Sequence, residues 1–121
     1  FVLQAVFEAQ PAPAEEMERL LEAARARRKL SQPVGASAGC IFKNPPEIPA
    51  GRLIDELGLK GACVGDACVS DVHANFIINR GHARARDITI LIDMIRKEAK
   101  ENRGIDLKSE AQVIGDRDPQ F

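Results

Sequence analysis

No run of apolar residues in the chain is long enough to cross a membrane: 45% of its 121 residues are hydrophobic, yet no window approaches the roughly 18 that a spanning helix needs. Charge of one sign is also missing. With 17 Lys and Arg against 18 Asp and Glu the formal net charge is −1, which gives no electrostatic case for nucleic acid or an anionic lipid surface. Metal-ligating residues are scarce, with two histidines and three cysteines. The C-x4-C spacing of Cys63 and Cys68, without neighbouring His, is poor for zinc, so no metal site is expected. An odd number of cysteines fits a reducing compartment, and the apolar surroundings of Cys63 and Cys68 read as core. No Cys-His pairing at a diagnostic spacing supports a thiol protease. "GLKGACVG" lacks the G-K-[ST] of a phosphate loop and reads as a turn between helix and strand. There is no internal repeat and no low-complexity segment.

The chain has the length of one domain. Its start, "FVLQAVFEAQ", has no Met and no basic stretch leading into an apolar one, so no secretory leader is expected. Its alternation predicts a strand entered without preamble, as in a piece cut from something longer. "PAPAEEMERLLEAARARRKL" predicts a long helix, with Met17, Leu20, Leu21, Ala24 and Leu30 tracing an apolar stripe. Its acidic start and basic end suit the helix dipole, so "RARRKL" reads as a solvated helix end. Glycines and prolines rule out a continuous helix over residues 31–49, although "CIF" suits a short strand. "AGRLIDELGLKG" predicts a short helix closed by Gly58, with Leu53, Ile54 and Leu57 inward. "ACVGDACVS" and "HANFIIN" read as strands, "ARDITILIDMIRKEAKENRG" as a second long helix stopped at Gly104, and "LKSEAQVIG" as a last strand. The expected class is α+β: a mixed or antiparallel sheet with two long helices and a short one.

Chemistry-bearing residues are few. In "VGASAGCIFKNP" small residues precede Cys40, which lets a ligand approach the backbone and leaves the thiol accessible. Lys43 and Asn44 add a cation and an amide within reach of an anion or carbonyl. His73 stands at the mouth of a strand, whereas His82, in the turn "RGHAR", reads as exposed. Glu110 would carry a carboxylate into an otherwise apolar terminal strand, where a raised pKa or a fixed partner is expected.

The ordered set "SAGCIFKNP", "AGRLIDELGLKGACVGDACVSDVHANFIINRGHARARDI" and "LKSEAQVIG" closely resembles the C-terminal, substrate-binding domain of UDP-N-acetylenolpyruvoylglucosamine reductase (MurB), over roughly residues 34–115. Only Pro46, Glu47, Ile48 and Pro49 separate "FKNP" from "AGRLI", and the chain has no tyrosine, so it resembles the short-loop, type II branch. The resemblance implies a bacterial, cytoplasmic enzyme of peptidoglycan and cell-wall biogenesis. NADPH reduces FAD there, and hydride passes to C3 of UDP-GlcNAc-enolpyruvate to give UDP-N-acetylmuramate. It implies that Cys40 stands where the family commonly places a proton-donating serine, and that Glu110 is the active-site glutamate. Asn44 would contact substrate, with Lys43 and His73 beside it. After Glu110, Gln112 replaces an expected arginine. The FAD-binding half is absent, so the chain alone is expected to be inactive. The alternative is a module that keeps the fold and nucleotide-sugar binding without the redox role.

Overall fold

The computed structural model describes residues 2–114. The chain divides into two compact units, Phe1–Leu30 and Ser31–Phe121. In the first, helix α1 (Ala14–Ser31) starts immediately after Pro13, whose carbonyl accepts the N–H groups of Glu16 and Met17. Glu15 and Glu16 occupy its first turn and Arg28 and Lys29 its last, as the charge pattern predicts. None of its residues is buried. Residues 2–13 form no element, and Val2, Leu3, Val6 and Phe7 are exposed. The strand expected there is therefore absent among the described residues 2–13: alternation is present, but a strand needs a partner for its backbone N–H and C=O groups.

The second unit is built on a four-stranded antiparallel sheet in the order β1-β4-β3-β2. The strands are β1 (Ala36–Cys40), β2 (Cys63–Val64), β3 (Ala67–Val69) and β4 (Phe76–Asn79). Helix α2 (Ala50–Glu56) lies between β1 and β2, and α3 (Ala85–Arg103) follows β4. One face of α3 buries Leu91, Ile92, Ile95 and Ala99, the spacing its sequence predicts. They join Ile41, Phe42, Leu53, Ile54, Val69, Ile77 and Leu107 in one apolar core. Gly104 ends α3 with φ 67°, a left-handed conformation glycine adopts without a Cβ penalty, and its N–H bonds back to the carbonyl of Lys100.

Two sequence expectations are corrected in this unit. "ACVGDACVS" is a hairpin, turning at Gly65 and Asp66, in which Cys63 sits directly opposite Cys68. The two are joined as a disulfide, with Cys63 exposed and Cys68 buried, so they are not a pair of free core thiols. A two-residue turn places positions i and i+5 face to face, which is the separation of this pair. The second correction concerns "LKSEAQVIG", whose Gly115 lies outside the described residues: residues 107–114 form a single β-bridge, Phe42 to Ser109, and no strand. They run beside Ile41–Lys43 through Lys43 N–H to the Lys108 carbonyl (2.9 Å) and Glu110 N–H to the Ile41 carbonyl (2.7 Å). Glu110 is exposed, contrary to the half-buried strand position expected from sequence.

Candidate active site

Cys40 ends β1, opposite Phe76 of β4, after an irregularity in the pairing between Ser37 and Cys40. The chain then leaves the sheet edge, and the carbonyl of Asn75 accepts the N–H of Ile41 at 2.9 Å. The Asn75 side chain is buried and clasps Phe42: its Oδ1 accepts the Phe42 N–H at 2.9 Å, and its Nδ2 donates to the Phe42 carbonyl at 2.8 Å. This pairing fixes which end of the amide is oxygen and which is nitrogen. Cys40, half-buried, is thus held between the end of one strand and the start of another.

A cavity of about 340 Å³ opens beside the thiol, lined by Cys40, Asn44, Gly51, Arg52, His73 and Asn75 among others. Asn44 reaches it from the loop after β1, and its Oδ1 accepts the N–H of Ala50 at the start of α2, at 3.0 Å. Pro49 precedes that helix and supplies no side-chain cap, so Asn44 satisfies one of the helix's orphan N–H groups from outside. The amide N–H donors of Asn44 remain for other partners. His73 enters from the β3–β4 loop, where Ser70 Oγ accepts the N–H groups of Val72 and His73. The His73 Nδ1 accepts the Asn75 N–H at 3.2 Å, which in the neutral ring puts the proton on Nε2. The ring also packs edge-on against Phe76, centroids 4.9 Å apart.

Burial pushes the Cys40 thiol above the ordinary thiol range, and the Glu110 carboxylate pushes it the same way. A side-chain hydrogen bond from Asn75 opposes them. The sum is a thiol that stays protonated at neutral pH.

The structure therefore gathers Cys40, Asn44 and His73 on one cavity and brings Glu110 within electrostatic range of Cys40. Lys43 is not part of the cavity lining; its side chain is exposed. His82 is exposed, as expected. Sequence reasoning missed Asn75, Gly51, Arg52 and Lys60, which also line the cavity. Arg52 and Lys60 put cations on this wall, each paired with an acid of α2: Arg52 with Glu56 and Lys60 with Asp55. Gln112, exposed, supplies none. Among the described residues no group of His, Cys, Asp and Glu could hold a metal ion, and no helix is long and apolar enough to cross a membrane.

The family model for the C-terminal domain of UDP-N-acetylenolpyruvoylglucosamine reductase matches residues 28–114. The reductase of that name from Syntrophobacter fumaroxidans is 50% identical over 99 residues, which are 81% of this chain and 29% of that protein. The one from Geotalea uraniireducens is 45% identical over 115 residues, 94% of this chain and 38% of that protein. The crystal structure of UDP-N-acetylenolpyruvylglucosamine reductase (MurB) from Thermus caldophilus matches with a TM-score of 0.73 and 46% identity, covering 86% of this chain and 36% of that one. Fold and site together define an α+β domain that in its relatives is one part of a longer reductase. The chain belongs to the UDP-N-acetylenolpyruvoylglucosamine reductase C-terminal domain family. It spans between 29% and 38% of the length of these curated relatives.

Proposed function

We propose that the chain is the substrate-binding and proton-donating part of a FAD-dependent, NADPH-using UDP-N-acetylmuramate dehydrogenase, of the short-loop type, in bacterial peptidoglycan synthesis. The observation that carries this reading is the cavity on which Cys40, Asn44 and His73 meet, with the Cys40 thiol kept protonated by burial and by Glu110. The substrate is UDP-GlcNAc-enolpyruvate. Its enol ether accepts hydride at C3 only if the negative charge that develops toward C2 and the carboxylate is stabilised and then quenched by a proton. Cys40 Sγ–H gives that proton to C2 and is left as thiolate. Asn44, whose Oδ1 is engaged by Ala50, offers its N–H donors to the substrate. The Nε2–H of His73 is a further donor, and Lys43 is assigned a cation's role toward the substrate's anionic groups from outside the cavity lining.

The cavity has the size for part of a sugar nucleotide. Hydride chemistry belongs to FAD and NADPH held by the rest of the parent enzyme. The chain's own part is binding, orientation and protonation, so alone it turns over nothing. A sugar nucleotide and NADPH are cytoplasmic metabolites, and the cytoplasm is the proposed compartment.

The test is made on the whole reductase by following each half-reaction. Cys40→Ala is expected to leave FAD reduction by NADPH intact and to stop reoxidation by UDP-GlcNAc-enolpyruvate, and Cys40→Ser to restore much of it. Equal loss in both halves would overturn the assignment.

A further inference from the structure

The two joined sulfurs of the second unit are unequally placed: Cys63 is exposed on β2, whereas Cys68, 2% exposed, is buried on β3. A nucleophile arriving from solvent therefore reaches the Cys63 sulfur and not its partner. That sulfur lies 3.2 Å from the carbonyl oxygen of Gly61, an acceptor already in place for the S–H that opening the bond creates. The arms beyond the pair lead to the cavity. Gly61 N–H bonds to the Val69 carbonyl at 3.0 Å and Val69 N–H to the Ala62 carbonyl at 2.8 Å, which ties the turn carrying Lys60, a residue of the cavity wall, to β3. Disulfides that form in a reducing compartment are mostly transient or redox-sensing.

We propose that Cys63–Cys68 is a reversible thiol-exchange site for a small monothiol of the glutathione type, and that its redox state sets how firmly the Lys60 turn is held against β3. The chemistry rests on the hairpin alone; only the compartment that supplies the thiol rests on the reductase reading. The thiolate of the monothiol attacks Cys63 Sγ, a mixed disulfide forms there, and the bond to Cys68 breaks. Cys68 leaves with the electron pair and takes a proton from water, because burial disfavours its anion. A second monothiol attacks the sulfur of the first, departs with it as the oxidised dimer, and leaves Cys63 as a thiol that donates to the Gly61 carbonyl. Two monothiols are thereby oxidised to one disulfide, and the protein gains two electrons and two protons. With the cross-link gone, the backbone bonds of Gly61 and Val69 open more often.

The test poises the whole reductase in glutathione buffers, quenches with acid and reads each cysteine on its own peptide by mass spectrometry. The bond is expected to open as reduced glutathione comes into excess and to close when the ratio is reversed, with any trapped glutathione on Cys63. A bond that stays closed in excess reduced glutathione, or an adduct on Cys68, would overturn the proposal. Cys68→Ala strands Cys63, which should take up one glutathione from the oxidised form. Cys63→Ala alters only an exposed site, so it serves even where Cys68→Ala does not fold; uptake at Cys68 in this folded variant refutes the order of attack. Hydrogen exchange gives a second reading. In the reduced protein the Gly61 and Val69 amides should exchange roughly tenfold faster relative to those of Leu91 and Ile95 in α3. A change shared equally by all four, or none, means that the sulfurs do not hold the turn, and the proposal fails. Neither reading uses turnover, so failure here leaves the reductase assignment standing, and failure of that assignment leaves these outcomes in force.

Discussion

A methyl group on Gly51 would stand 2.9 Å from Cε1 of His73. The first turn of α2 and the imidazole are packed so closely that only glycine fits between them while His73 keeps its bond to the Asn75 N–H and its edge-on contact with Phe76. Gly51→Ala sets a gain in helix propensity of about 1 kcal/mol against displacement of the ring. The expected result is a small net change in stability, within about 1 kcal/mol, and a displaced His73. Imidazole 15N shifts read the outcome. Unchanged Nδ1 and Nε2 signals would show that the ring had not moved.

The Glu110 carboxylate disfavours the Cys40 thiolate, so removing its charge must lower the thiol pKa. Glu110→Gln is expected to bring alkylation of Cys40 to lower pH. In the whole reductase the alkaline limb of the substrate half-reaction, where the proton donor is lost, moves down with it. The sign is fixed: an upward move would mean that Glu110 reaches Cys40 by something other than its charge.

Asn44 accepts the first free N–H of α2 from six residues away. Asn44→Ala leaves that donor without its acceptor and should cost about 0.5–2 kcal/mol, the range for lost helix caps. Asn44→Asp keeps the acceptor and should recover most of the stability. Thermal unfolding separates the two; equal loss in both would show that the bond to Ala50 contributes little.

The Cys63–Cys68 disulfide closes a very short loop, with a sequence separation of 5. Chain-entropy arguments give a stabilisation of about 2 kcal/mol for so small a ring. Reduction should lower the melting temperature by a few degrees. Cys63, which is exposed, should then alkylate well ahead of Cys68, which is 2% exposed. Equal rates would place the hairpin in a different register.

Much of the second unit was legible because its signals are local. The i, i+3, i+4 apolar pattern of α3 and its glycine stop appear as read, as does the short α2 carrying Leu53 and Ile54 inward. What failed depended on pairing. Residues 2–10 alternate like a strand yet form no element, and residues 107–114 pair with Ile41–Lys43, beyond the end of β1, through one bridge. The disulfide was legible in principle, since Gly65-Asp66 marks a two-residue turn that sets Cys63 against Cys68. Cys40, Asn44 and His73, which line one cavity, were singled out from the chemistry of their neighbours and the family motifs. Asn75 was missed because an asparagine inside "HANF" carries no local sign that it will clasp Phe42, 33 residues earlier.

Beyond the core residue Leu107, the segment that carries Glu110 is fastened beside Ile41–Lys43 by a few backbone hydrogen bonds, one bridge and the half-buried Ala111. Part of the proton affinity of Cys40 is thereby lent by a stretch of chain that can detach at modest cost, each such bond being worth only about 1 kcal/mol. The sulfur consequently works as a gauge of docking. Peeling residues 108–114 away would register as a more reactive thiol before any strand of the sheet had opened.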